Sequence, residues 1–366
     1  MGRRPTATTE RPERRVSMAV TMTRLARMLQ RVAPNGRAAP SRPSDSTDRF
    51  QRTLAPRSDA DRTPVTDILY NRLTDADIDA VATALAPEHR WMWDGATPAE
   101  LRRVTLSFGL LYGIPGVIEH TGLSPATPPP DVHSMVHGWT TEIGGSYYLA
   151  DMVYDAMREI DSVPAPGARV LDFSCSSGRV VRPLAAALPE VQWHGCDPNA
   201  PAIAWMAENV PAVAVQVTPS TPPLPFEDSS LDLVFAISVW SHYSAAGALV
   251  WLSELHRAVR PGGHVLLTTH GLQACVWFTV DANPGLAAKL GTDWITESVD
   301  RLTRDGHCFW DVFGAEGDWG VVDPEWGLAL LTPEWLMEQT TPGWSVQTYR
   351  VGSAHGNQDL YLLQRQ

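Results

Sequence analysis

The stretch VLDFSCSSGRV, residues 170–180, joins an apolar run to a turn of small residues and then to the start of a helix. Such a turn aims backbone N–H groups and a helix N-terminus at a ligand, which is how nucleotide-like cofactors are gripped. One acid, Asp172, stands just before the turn, and a second, Asp197, ends the next apolar run 25 positions later. Carboxylates there can accept from hydroxyl or ammonium donors. Three histidines follow: His242, His270 and His355. An unperturbed imidazole titrates near pH ~6.5, so each is suited to proton transfer under cellular conditions. None of the three belongs to an H-x-x-x-H pair or a Cys/His cluster, so no metal is expected with them.

The elements that must position these residues are readable from residue 168 onward. Short apolar runs alternate with helical segments: ARVLDF, then 179–188; VQWHGCD, then 199–209; AVAVQV; LDLVFAIS, then 245–259; HVLLTTHG. This alternation predicts a parallel sheet with crossover helices. Ligands in such a sheet bind outside the carboxyl ends of the strands. Those ends fall at Asp172, Phe173 and Ser174; at Cys196, Asp197 and Pro198; near Thr218; at Ala236, Ile237 and Ser238; and at Thr269, His270 and Gly271. The chain ends in WSVQTYRVGS and QDLYLLQRQ, with no room for a crossover helix between them, so the sheet is expected to close with an antiparallel hairpin. Between 273 and 331 lies an insertion rich in aromatics, including Trp277, Phe278, Trp294, Phe313, Trp319 and Trp326, read as a lid over the acceptor pocket.

Taken together, VLDFSCSSGRV, HGCDPNAPAIAWMAENV, PPLPFEDSSLDLVFAISVWSHYS and LSELHRAVRPGGHVLLTTHG resemble, in order and spacing, a class I S-adenosylmethionine (SAM)-dependent methyltransferase. The resemblance covers about residues 168–366 and implies a Rossmann-like seven-stranded mixed sheet. It implies SAM as cofactor and a methyl transfer to a hydroxyl or amine of a small molecule. The upstream PPPDVHSMVHG and the final AHGNQDLYLLQ are similar to bacterial methyltransferases that accompany glycan-building enzymes, which implies a sugar or glycoconjugate acceptor. Under this resemblance Asp197 accepts the ribose hydroxyls, Asp172 organises the loop and approaches the cofactor ammonium, and Thr218 stands where adenine is read. Ser174, Ser176, Gly178, Pro198, Ile237 and Ser238 complete the cofactor site. His242 matches a position where many O-methyltransferases carry a histidine, and it is the first candidate base, with His270 next. Asp232 is read as structural.

The family pattern has glycine where Ser174 and Ser176 stand. A SAM loop touches no pyrophosphate, so serine is tolerated where φ is negative; at positive φ it costs about 1 kcal/mol. A methyltransferase-like partner protein with no catalysis is therefore the alternative function. An NAD-dependent oxidoreductase is disfavoured, because G-x-G-x-x-G is missing.

Outside the sheet region the chain divides in two. Residues 64–160 read as a helical segment that caps the site, and in TPAELRRVTLSFGLLYG, Thr97, Pro98 and Glu100 form a helix-start signature. Residues 1–63 carry 14 Arg against 6 Asp/Glu, read as a disordered tail whose basic amphipathic stretch is suited to a membrane surface or a partner. The whole chain carries −12, which leaves −20 on the rest and argues against nucleic acid as a partner. No apolar run is long enough to span a membrane, and the four separated cysteines read as reduced core thiols. A cytoplasmic location is the expectation.

Overall fold

The computed structural model describes residues 63–129, 132, 143–280, 284–318 and 322–366. The arginine-rich tail, its amphipathic stretch, most of the PPPDVHSMVHG connector and Trp319 lie outside the described residues.

The sheet core follows the expected alternation. Strand β1 (Arg169–Phe173) leads to helix α7 (Val181–Ala187), and β2 (Gln192–Asp197) to α8 (Ala200–Asn209). Then come β3 (Val213–Val217), β4 (Leu231–Ala236), α9 (Ala245–Ala258) and β5 (Val259–His270). These five strands are parallel neighbours in the order β3-β2-β1-β4-β5. The order reverses between β1 and β4, and the crevice above that reversal is where such sheets bind ligands. The terminal hairpin, β8 (Trp344–Ala354) and β9 (Gln358–Arg365), closes the sheet, with β9 antiparallel to β5 and to β8. Strands β1–β5, β8 and β9 together make the expected seven-stranded mixed sheet.

The insertion departs from the expectation of a simple lid. It carries α10 (Leu272–Val280), α11 (Pro284–Leu290) and α12 (Trp294–Asp305), followed by β6 (His307–Trp310) and β7 (Leu328–Leu331). Strands β6 and β7 pair with each other, and β7 joins β5 at His270↔Leu330, raising the sheet to nine strands. Helices α10 and α12 bury Cys275, Phe278, Trp294, Val299 and Leu302 against Leu328 and Leu330 in a core of their own. One more helix, α13 (Pro333–Thr340), leads into β8.

The N-terminal segment contains α1 (Pro64–Tyr70), α2 (Asp75–Ala84), α3 (Arg90–Asp94), α4 (Pro98–Leu111), α5 (Pro115–Thr121) and α6 (Tyr147–Glu159). Thr97 caps α4 as expected: its side chain accepts from Glu100 N–H while the Glu100 carboxylate accepts from Thr97 N–H. Side chains alternate across the strands, so each strand feeds two cores. Val170, Leu233, Phe235 and Leu266 face one core, together with Val65, Phe108, Leu149 and Met152 of the N-terminal helices. Their neighbours Leu171, Val234 and Leu267 face the other, with Trp251, Leu252 and Leu255 of α9. The N-terminal helices therefore cover one face of the sheet.

Candidate active site

A cavity of about 540 Å³ opens at the carboxyl ends of β1 to β5. It gathers Asp172 from β1, Asp197 and Pro198 from β2, Thr218 after β3, Ile237 and Ser238 after β4, and His270 from β5. Ser174 and Ser176 line it from the loop, and His242 and His355 from their own turns. Of the sequence-derived site residues Gly178 alone is missing from the wall among the described residues. Gly178 stands behind the loop at φ 74°, where a Cβ would meet Met206 Sδ at 2.4 Å. It serves the packing of α8 against the turn.

The loop geometry decides between the two cases the serines left open. Ser174 and Ser176 are both left-handed, at φ 60° and 48°, so the turn keeps the glycine-type path although serines occupy it. Asp197 helps to hold that path. Its Oδ2 accepts from Ser176 N–H and its Oδ1 from Asn199 N–H, each at 2.8 Å. Each carboxylate oxygen keeps lone-pair capacity for a ligand hydroxyl. Burial pushes the Asp197 carboxyl up, against the pull of those two backbone N–H groups.

Asp172 is buried at the centre of the sheet tips, and burial raises its carboxyl well above the usual range. The nearby Arg179 pulls the other way. Asp172 Oδ2 has no protein partner, and neither has Ser176 Oγ. Two orphaned polar atoms on one cavity wall fit a ligand with a cationic and a hydrogen-bonding end, such as the amino-acid part of SAM. Arg179, also on the wall, escaped the sequence reading. The available signal was a cation directly after Gly178, close in sequence to Asp172.

At the opposite wall the insertion meets the turn after β4. His242 Nδ1 lies 2.6 Å from Gly327 O. A carbonyl only accepts, so Nδ1 carries the hydrogen and Nε2 keeps its lone pair. The Trp326 ring stacks on His242 at 4.7 Å, and Trp326 Nε1–H donates to Asp318 Oδ2 at 3.0 Å. Gly327 N–H donates to His242 O at 2.8 Å, and Ser244 N–H to Glu325 O at 2.8 Å. Burial lowers the His242 pKa, while Gly327 and Asp318 oppose the shift. His270 is more deeply buried, and its pKa is lowered to about 3. It is therefore a poor proton acceptor near neutral pH.

Trp277, Phe313 and Trp326 of the insertion complete the aromatic wall. Among the described residues, none from 64–160 lines the cavity. The described helices of that segment pack on the sheet face. Asp232 is structural, accepting from Arg169 N–H and Arg260 Nε–H.

Comparison with known proteins agrees with this geometry. Residues 170–263 match the model of a family described as a methyltransferase domain. Similar solved structures include a SAM-dependent methyltransferase from Mesorhizobium loti, at 15% identity over 58% of this chain and 98% of that one, TM-score 0.37. One from Methanosarcina mazei shows 18% identity over 57% and 96%, TM-score 0.39. A geranyl diphosphate methyltransferase in complex with SAM shows 11% identity over 61% and 92%, TM-score 0.36. The matched segment runs from β1 into β5 and contains the loop, both tip acids and His242, so the residues gathered at the strand tips lie within the part of the chain that is similar to a methyltransferase domain.

Proposed function

We propose that the protein moves a methyl group from SAM to a hydroxyl or amine of a small molecule, a sugar or glycoconjugate, with His242 as general base. The observation that carries this reading is the pinned tautomer of His242. Gly327 O takes the Nδ1 hydrogen, which leaves Nε2 as an acceptor in a cavity that also holds Asp172 and Asp197. Aromatic walls such as Trp277, Phe313 and Trp326 suit the C–H faces of a sugar ring.

In this reading Asp197 accepts from the ribose hydroxyls and Thr218 stands beside the adenine. Pro198, Ile237 and Ser238 shape the wall between them. Asp172 and Ser176 take the ammonium end, and Arg179 takes the carboxylate as a charge-assisted partner. When bound, SAM supplies a methyl group on a sulfonium that leaves as a neutral thioether. His242 Nε2 receives the proton of the acceptor hydroxyl. The insertion excludes water around that transfer and fixes the approach of the acceptor.

The test separates binding from chemistry. His242→Gln should lower turnover, read as release of S-adenosylhomocysteine, by ~100-fold or more, with SAM affinity within a few fold. Because burial lowers the His242 pKa, the acid limb of the wild-type rate should fall below pH ~6.5 and vanish in the variant. A loss under about tenfold with an intact fold removes His242 as the base. The second reading, a partner protein without catalysis, draws on the two left-handed serines. Calorimetric titration with SAM decides it, since such a protein gives no binding heat.

A further inference from the structure

The acceptor end of the cavity carries several hydrogen-bond acceptors and carboxylates among its described residues. His242 presents Nε2, because Gly327 O occupies its Nδ1–H. His270 repeats the arrangement. Ala329 holds one ring nitrogen through its backbone, and the other, Nδ1, has no protein partner although His270 is 94% buried. A neutral imidazole bonded to a carbonyl through one nitrogen is an acceptor at the other. The carboxylates of Asp318 and Asp323 line the same cavity as Trp326, Phe313 and Trp277, and Asp318 lies close enough to both His242 and Asp197 to act on their charge. Arg179 is the one Lys or Arg among the described lining residues, and it sits beside Asp172, within the cofactor half of the cavity.

Building on the methyl-transfer reading above, we propose that the acceptor is an amine-bearing, donor-rich small molecule that is cationic in solution. Its N–H and O–H groups would satisfy His270 Nδ1 and the two carboxylates, and its charge would lie against the aromatic rings. An anionic acceptor would face Asp318 and Asp323 with no cation to receive it. Asp318 is the specificity residue in this proposal. It already accepts from Trp326 Nε1–H at 3.0 Å, so its charge can be removed without removing that bond. An asparagine there keeps one acceptor oxygen for the indole.

The experiment uses the full chain and a metabolite extract of its source cells, divided beforehand into pools retained by a cation exchanger, by an anion exchanger, or by neither. Each pool is assayed with SAM for release of S-adenosylhomocysteine. The cation-retained pool should exceed either other pool by roughly tenfold or more. Asp318→Asn should erase most of that advantage, chiefly by raising KM, while Asp318→Glu restores it and SAM affinity stays within a few fold. The largest release from the anion-retained or unretained pool overturns the inference and leaves the methyl-transfer reading standing. So does an Asp318→Asn protein of unchanged KM. No release from any pool, in a protein that binds SAM, overturns both.

Discussion

Ser174 and Ser176 occupy a backbone region that a Cβ makes costly, by about 1 kcal/mol each. The two differ in their side chains. Both residues are half-buried, but Ser176 Oγ itself is buried without a protein partner. Ser176→Gly should therefore raise the melting temperature of the ligand-free protein, since it removes both backbone strain and an unsatisfied hydroxyl. If Ser176 Oγ bonds the cofactor, the same variant should show a smaller SAM-induced rise in melting temperature than the wild type. An unchanged rise assigns the serine to the loop alone. Asp197→Ala should weaken SAM binding by roughly 2–3 kcal/mol in a calorimetric titration, through loss of its charge-assisted contacts and of the loop anchor at Ser176 N–H. The places of Asp172, Asp197, Thr218 and Ser238 are legible in the sequence, because each ends an apolar run whose length fixes the strand tip. The sign of φ at the serines is not, since residue type records a preference and not the path taken. Arg179 is hidden for a similar reason: an arginine at a helix start reads as solvated charge until the fold sets it beside Asp172.

At the scale of elements, the insertion both walls the cavity and aims His242. The short chain from Asp323 to Gly327 reaches the turn after β4 through Ser244 N–H, the Tyr243↔Trp326 bridge, Gly327 N–H and Gly327 O. Gly327 has no space for a side chain, because a Cβ there would meet Trp310 O at 2.2 Å. Gly327→Ala should push the segment off β6, release the His242 ring and cut turnover by an order of magnitude or more. SAM affinity should change less, since the bonds that hold the loop, from Ser176 N–H and Asn199 N–H to Asp197, do not involve the insertion. Equal losses in turnover and SAM binding would instead show a general collapse of the site. The sequence marks the insertion by its aromatics, yet β6 and β7 are only four residues each. Runs that short carry too little periodicity to be separated from buried loop, so the extension of the sheet becomes apparent only in three dimensions. The crossover helices are longer and amphipathic, and they fall where the pattern puts them.

Across the whole molecule, several carboxylates are buried deeply enough that desolvation outweighs their partners, and together they set how stability responds to pH. Burial raises Asp151, Asp172 and Asp197, and it lifts Asp359 to about 6. Asp359 lies in β9 of the terminal hairpin, accepting from Tyr349 OH and from Gly352 N–H at 2.9 Å each. A carboxyl whose folded pKa lies above its unfolded value of ~3.9 binds its proton more tightly when folded. Its contribution is therefore fully present below pH ~4 and is lost as pH rises through about 6. For a shift of this size the loss is about 3 kcal/mol. The other raised acids act in the same direction, and the −20 carried outside the tail adds self-repulsion as pH rises. The protein should accordingly melt at a higher temperature near pH 6 than near pH 8, the reverse of a protein held by surface ion pairs. Asp359→Asn isolates one part of this. The amide oxygen can keep the Gly352 bond, and the amide nitrogen can donate to the Tyr349 oxygen. The variant should match or exceed the wild type at pH 8 and lose that advantage toward pH 5. Chemical denaturation at both pH values measures the difference directly. A difference that stays constant with pH would mean that Asp359 keeps an ordinary carboxyl affinity for its proton despite its burial.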